Sequence, residues 1–136
     1  MKYLKLYEGW IKGEVSLKDM FSPYIDWEFI KDAEDMSLEY LDRGLYLSLF
    51  VYYESKPLYA VYYANYKEVN PFWFQIFISD GHVLDKNNIK YNVSILNADP
   101  ENNDRPGYAS ICIEESNELG DRLKSAYPDK KIMVSQ

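Results

Sequence analysis

The sequence predicts a single α+β domain, residues 1–136, built on an antiparallel sheet of four to five aromatic-rich strands, with an amphipathic N-terminal helix and a short C-terminal helix. Three observations predict it. A helical period runs from Asp26 to Arg43, a period of two replaces it from Leu45 onward, and turn residues then cut the chain into strands before a second helical stretch. With 136 residues the chain has the usual length of one domain, enough to bury a core without disulfides or metal. Apolar residues make up 47% of it and aromatic ones 17%, with 14 tyrosines, which excludes disorder through low hydrophobicity.

Residues 1–24 fit a helix through Tyr3, Leu6 or Tyr7, Trp10 and Ile11, although Leu4 and Leu6 also fit alternation. Ser16 is placed to cap a short helical turn through Phe21, and Pro23 breaks it by restricting the residue before it. From Asp26 to Arg43, Trp27, Phe29, Ile30, Ala33, Met36, Leu38, Tyr40 and Leu41 wind onto one broad apolar face at about 100° per residue. Asp26 can cap this helix by accepting an orphan backbone N–H, and Gly44 supplies the left-handed residue that ends it.

Leu45, Leu47, Leu49, Val51 and Tyr53 then alternate with Tyr46, Ser48, Phe50 and Tyr52 as a first strand. A tight reversal at Ser55, Lys56 and Pro57 leads into a second strand, Leu58 to Tyr66. Asn70 and Pro71 punctuate again, Phe72 to Ser79 reads as a third strand, and Asp80 with Gly81 turns the chain. Ile89, Tyr91, Val93 and Ile95 alternate with Lys90, Asn92 and Ser94, a half-polar pattern expected towards a sheet edge. Asn97 to Gly107 is an exposed loop, and the sheet resumes over Tyr108 to Ile113. Leu119, Leu123, Ala126 and Tyr127 give the last helix, capped by Ser116 or Asn117, weakened by Gly120 and stopped by Pro128; Ile132 and Val134 can add a final short strand.

Composition also limits function. The lone cysteine, Cys112, precludes an internal disulfide and points to a reducing, cytoplasmic compartment. Lys2, Lys5, Glu8, Lys12 and Glu14 interrupt any export-signal core, and the longest apolar run, Leu45 to Tyr53, is far short of the roughly 20 residues a membrane helix needs. The net charge of −7 repels phosphate backbones and favours basic partners over nucleic acid.

The expectation for chemistry is negative: no catalytic residues, no metal site and no cofactor. His82 is the sole histidine and reads as a turn residue, Cys112 as a buried strand thiol, and no phosphate-cradling glycine loop or nucleophile elbow is present. Asp99, Glu101, Asn102, Asn103 and Asp104 offer oxygen ligands but lack the register of a calcium loop. The tyrosines at 46, 52, 59, 62, 63 and 66 either pack within the sheet or form an exposed aromatic surface.

The most organised polar feature is a stripe of five carboxylates, Glu28, Asp32, Asp35, Glu39 and Asp42, at steps of four, three, four and three. They fall within an arc of roughly 80° opposite the apolar face. Like charges at these spacings cost roughly 0.2–0.5 kcal/mol per pair in an isolated helix. The stripe is either a solvated face or a negative surface offered with Asp99, Glu101 and Asp104 to a basic partner, and in both cases lysine at 32, 35 and 39 should leave folding nearly intact, since all three lie opposite the apolar face.

In size, acidity and this stripe the chain resembles the immunity proteins that bacteria carry against the toxins of contact-dependent and other polymorphic systems. The resemblance implies direct binding of a cognate toxin domain, often a basic nuclease, with no catalysis by the inhibitor itself. A phage-encoded inhibitor of a host nuclease would use the same acidic surface. The alternative from another class is a small-ligand-binding or enzymatic domain whose aromatic sheet, around Trp73 and Phe77, lines a pocket.

Overall fold

The computed structural model describes residues 17–64, 67–74, 85–97 and 110–135. Alternation builds the first strand, β1 (Tyr46–Tyr53), which sends Leu47, Leu49, Val51 and Tyr53 into the core. A two-residue loop, Glu54 and Ser55, joins it to β2 (Lys56–Ala64), with Tyr53 opposite Lys56. The reversal thus comes before Lys56 and Pro57, which belong to the strand. Leu58 is an extra residue between the Val51–Tyr59 and Tyr52–Pro57 pairs, a bulge that puts Leu58 and Tyr59 both in the core.

The third strand, β3 (Lys67–Trp73), starts five residues before the expected Phe72 and runs through Asn70 and Pro71. Among the described residues it is the terminal strand of the sheet, and Asn70 and Pro71 fall where the register slips opposite Val61, outside the paired positions. β4 (Ile89–Asn97) is central: β1 lies along one side, and the two-residue β5 (Ser110–Ile111) and β6 (Lys131–Val134) share the other. The half-polar pattern that suggested an edge reports instead that the described helices cover only one face of this strand. Lys90, Asn92 and Ser94 lie on the face away from the core, beside Tyr52, Phe50 and Ser48 of β1. β1 to β5 pair antiparallel and β6 runs parallel to β4.

Four helices pack on the leucine face: α1 (Leu17–Phe21), α2 (Trp27–Met36), α3 (Leu38–Leu41) and α4 (Ile113–Ala126). The fold is therefore α+β, as the periodicities predict. Phe29, Ile30 and Ala33 of α2, Tyr40 and Leu41 of α3, and Leu119 and Leu123 of α4 close one continuous core over the sheet. After α1, Ser22–Tyr24 form a 3-10 turn containing Pro23, and Asp26 caps α2 by accepting the Phe29 N–H at 3.1 Å.

The expected single helix from Asp26 to Arg43 is split at Ser37. Its buried hydroxyl donates to the Glu34 carbonyl at 2.7 Å, the local side-chain bond by which serine bends a helix. Gly44, at φ 82°, then turns the chain out, as its position predicts. The C-terminal helix departs further from expectation. At 14 residues α4 is the longest described helix, capped by Cys112 in place of Ser116 or Asn117.

Ser116 instead lies fully buried and fills the gap that β5 and β6 leave along β4. Its Oγ accepts the Ile95 N–H at 2.8 Å, while the Cys112 N–H donates to the Ile95 carbonyl at 2.8 Å. Gly120 brings the same helix against β6, and a Cβ there would strike the Val134 Cγ2 methyl.

Candidate functional site

Residues 26–43 and 113–126, which contain α2, α3 and α4, hold eleven acids against four cations, a balance of −7 equal to the net charge of the whole chain. These helical segments therefore carry a concentrated negative charge, which a basic body approaching them would meet.

The five predicted stripe residues divide into two sets. Asp32 and Glu39, on one flank of the arc, face the C-terminal segment: the Tyr127 hydroxyl donates to Asp32 Oδ2, and Arg122 Nη1 lies 2.7 Å from Glu39 Oε1. Arg122 also donates to the Met36 carbonyl at 3.5 Å, serving the open end of α2 at the Ser37 break. Glu28, Asp35 and Asp42, spaced by seven, are exposed, and their carboxylates hold no hydrogen bond or ion pair among the described residues. Lysine at 35 would thus break no described contact, whereas lysine at 32 or 39 would remove the hydrogen bond to Tyr127 or the ion pair with Arg122. Asp99, Glu101 and Asp104, with His82, Tyr66 and Phe77, lie outside the described residues.

More of the helix–helix contact is polar. Tyr40 is buried and donates to Glu118 Oε2 at 2.7 Å, and Arg43 reaches Glu115 at 3.5 Å. Burial, with the Glu118 carboxylate, pushes the Tyr40 phenol well above its ordinary range, and the bond to Asp32 does the same for Tyr127. These phenols stay protonated as donors. Sequence spacing could not reveal the pairs, since Tyr40 and Glu118 stand 78 residues apart and Asp32 and Tyr127 stand 95 apart.

At the start of α2 a second cluster forms. Lys130 Nζ lies 2.8 Å from Asp26 Oδ2 and 5.3–5.7 Å from the ring centres of Phe29, Tyr91 and Tyr127, a cation held over three aromatic faces. Burial raises the Asp26 carboxyl, but the Lys130 hydrogen bond, the Phe29 N–H and the Lys130 charge together hold it below the usual carboxylate range. Tyr91 is pushed up to about 12, chiefly by burial.

Of the alternative pocket around Trp73 and Phe77, only the Trp73 side is described: its ring lies 4.6 Å from Tyr59 and 6.1 Å from Trp27. Tyr59 and Tyr63 are core residues, whereas Tyr46, Tyr52 and Tyr62 are half-buried on the far face of the sheet. That face carries a ring cluster of Phe50, Tyr52, Tyr62, Phe72 and Phe74, with Phe72 57% exposed. Cys112 is partly buried at the start of α4 rather than inside a strand. Burial and then Glu115 push its thiol up against the opposing pull of Arg43, away from thiolate chemistry. Among the described residues no group of three His, Cys, Asp or Glu side chains is placed to hold a metal. No described helix is long and apolar enough to cross a membrane.

No protein-family model, curated protein or solved structure matches the chain.

Proposed function

We propose that the chain is a protein-binding inhibitor whose acidic helical layer takes a basic partner, in the manner of an immunity protein neutralising a toxin domain. The observation that carries this reading is the placement of charge. The helical segments hold a balance of −7, and Glu28, Asp35 and Asp42 form an outward row whose carboxylates serve no described contact. A row of carboxylates without partners among the described residues presents a negative field, which would speed the approach of a basic partner.

On this reading the protein acts by occlusion. It needs no cofactor, makes no nucleic-acid contact of its own and works in the cytoplasm, where the single thiol of Cys112 stays reduced. A basic nuclease domain is the class of toxin that best complements the surface. Asp99, Glu101 and Asp104 would extend the acidic surface, and Asp32 and Glu39 would act on it indirectly, by fixing how α2 and α4 sit.

The test compares wild type with a Glu28→Lys, Asp35→Lys, Asp42→Lys variant as bait in lysate of the source organism. A basic protein retained stoichiometrically by wild type and lost by the folded variant supports the reading. Equal retention by both removes the acidic row from the interface.

A further inference from the structure

Between the Pro23–Asp26 turn and the segment from Tyr127 to Lys131 lies an open cleft of about 760 Å³, floored by Ile89 and Tyr91 of β4. This volume falls within the range of small-ligand sites. Its charge is opposite to that of the helical layer. Lys86, Lys130 and Lys131 line it against Asp26 and Asp129, in a chain whose net charge is −7.

Two donors are left over in this cleft. Tyr91 is 3% exposed, and its hydroxyl accepts the Asp26 backbone N–H at 2.8 Å, which leaves its own proton without an acceptor among the described residues. A buried hydroxyl with an unspent proton is costly unless water or a ligand takes it. Lys130 has three N–H donors, and Asp26 is its one acceptor among the described residues, so others remain on an ammonium pinned over three rings. At the rim, Lys86 and Lys131 are exposed and form no ion pair among the described residues.

We propose that this cleft is a binding site for a small anion attached to a planar ring, an aryl phosphate or aryl carboxylate. The anion meets the Tyr91 hydroxyl, the Lys130 ammonium and the rim lysines, while Tyr24, Tyr127 and Pro128 give the ring an apolar wall. A cationic ligand is disfavoured because the position over the rings is already filled by Lys130. The site lies outside the acidic row and does not depend on the partner proposed above.

Calorimetric or NMR titration of the full chain tests it with four probes: phenyl phosphate, benzoate, inorganic phosphate and benzylamine. Saturable binding of phenyl phosphate or benzoate is expected, the tighter of the two identifying the head group, with inorganic phosphate and benzylamine at least about tenfold weaker. Lys86→Glu and Lys131→Glu, both at exposed positions, should each weaken the aryl anion several-fold with melting temperature unchanged, and Tyr91→Phe should weaken it about tenfold. Should Tyr91→Phe prove unstable, the rim variants decide. Absence of saturable binding by both aryl anions, benzylamine binding as tightly, or rim variants that bind like wild type would each overturn the proposal.

Discussion

Ser116 stands where helix and sheet share a backbone problem. The gap between β5 and β6 leaves Ile95 without a neighbouring strand on one side, and the Ser116 hydroxyl takes its N–H. Ser116→Ala should cost about 1–3 kcal/mol, the penalty for orphaning a buried donor; urea denaturation would measure it, and an unchanged midpoint would mean that water replaces the hydroxyl. Asp26 and Lys130 form a second residue-scale device. Because the folded Asp26 carboxyl is held below its ordinary range, its contribution is present above the unfolded value of about 3.9 and fades as pH falls through the folded one. Lys130→Met should raise the Asp26 titration seen by carboxyl NMR; no change would detach the lysine from the cap. Tyrosine has the opposite sign. Tyr91, raised to about 12, gives stability that is full below about pH 10 and lost as pH climbs through the folded value. Thermal melts should therefore decline on that alkaline limb, and Tyr91→Phe should make the decline shallower, the raised phenols of Tyr40 and Tyr127 keeping the rest. Of these residues, the sequence identified only Asp26 in its actual role, because a cap is a local bond. Ser116, Lys130 and Tyr91 act across the chain, where spacing carries no signal.

Elements followed the hydrophobic period wherever one face alone decided the outcome. β1, β2, α2 and α4 lie where alternation or helical spacing put them, since a one-residue slip in a strand would turn Leu47, Leu49 and Val51 to the wrong face. Boundaries and neighbours were less legible. Pro71 suggested a break because a proline inside a sheet forfeits a hydrogen bond, yet it sits at the register slip of the outermost described strand, outside the paired positions. The polar face of β4 suggested an edge, but polarity tracks covering layers and not strand order. Gly120 shows the same limit, for propensity alone makes it a weak point of α4, whereas the contact with Val134 makes it the residue that lets helix and strand meet. Gly120→Ala should destabilise the protein despite a helix-propensity gain of about 1 kcal/mol; a higher melting temperature would show that Val134 yields freely. Glu54, at φ 56° in the β1–β2 loop, predicts the reverse. Glu54→Gly should stabilise by up to about 1 kcal/mol, because glycine adopts the left-handed region without the Cβ penalty.

At the scale of the molecule, charge and core occupy different places. The helical layer holds the excess negative charge, the cleft at the start of α2 gathers lysines, and the far face of the sheet exposes aromatic rings. Half of this was legible. The stripe was visible because helical spacing places its members on one arc, but its division was not, since which flank faces α4 depends on how the two helices pack. On the proposed reading Glu28, Asp35 and Asp42 are the residues left to a partner, while Asp32 and Glu39 make contacts within the fold. The most direct measurement is the association rate of the recovered partner with wild type and with the Glu28→Lys, Asp35→Lys, Asp42→Lys variant, at low salt and at physiological ionic strength, where screening acts beyond about 8 Å. The wild-type rate should fall with salt, and the folded variant should associate several-fold more slowly at low salt with a flatter salt dependence. A folded variant with the wild-type rate at both salt concentrations would contradict the proposed reading.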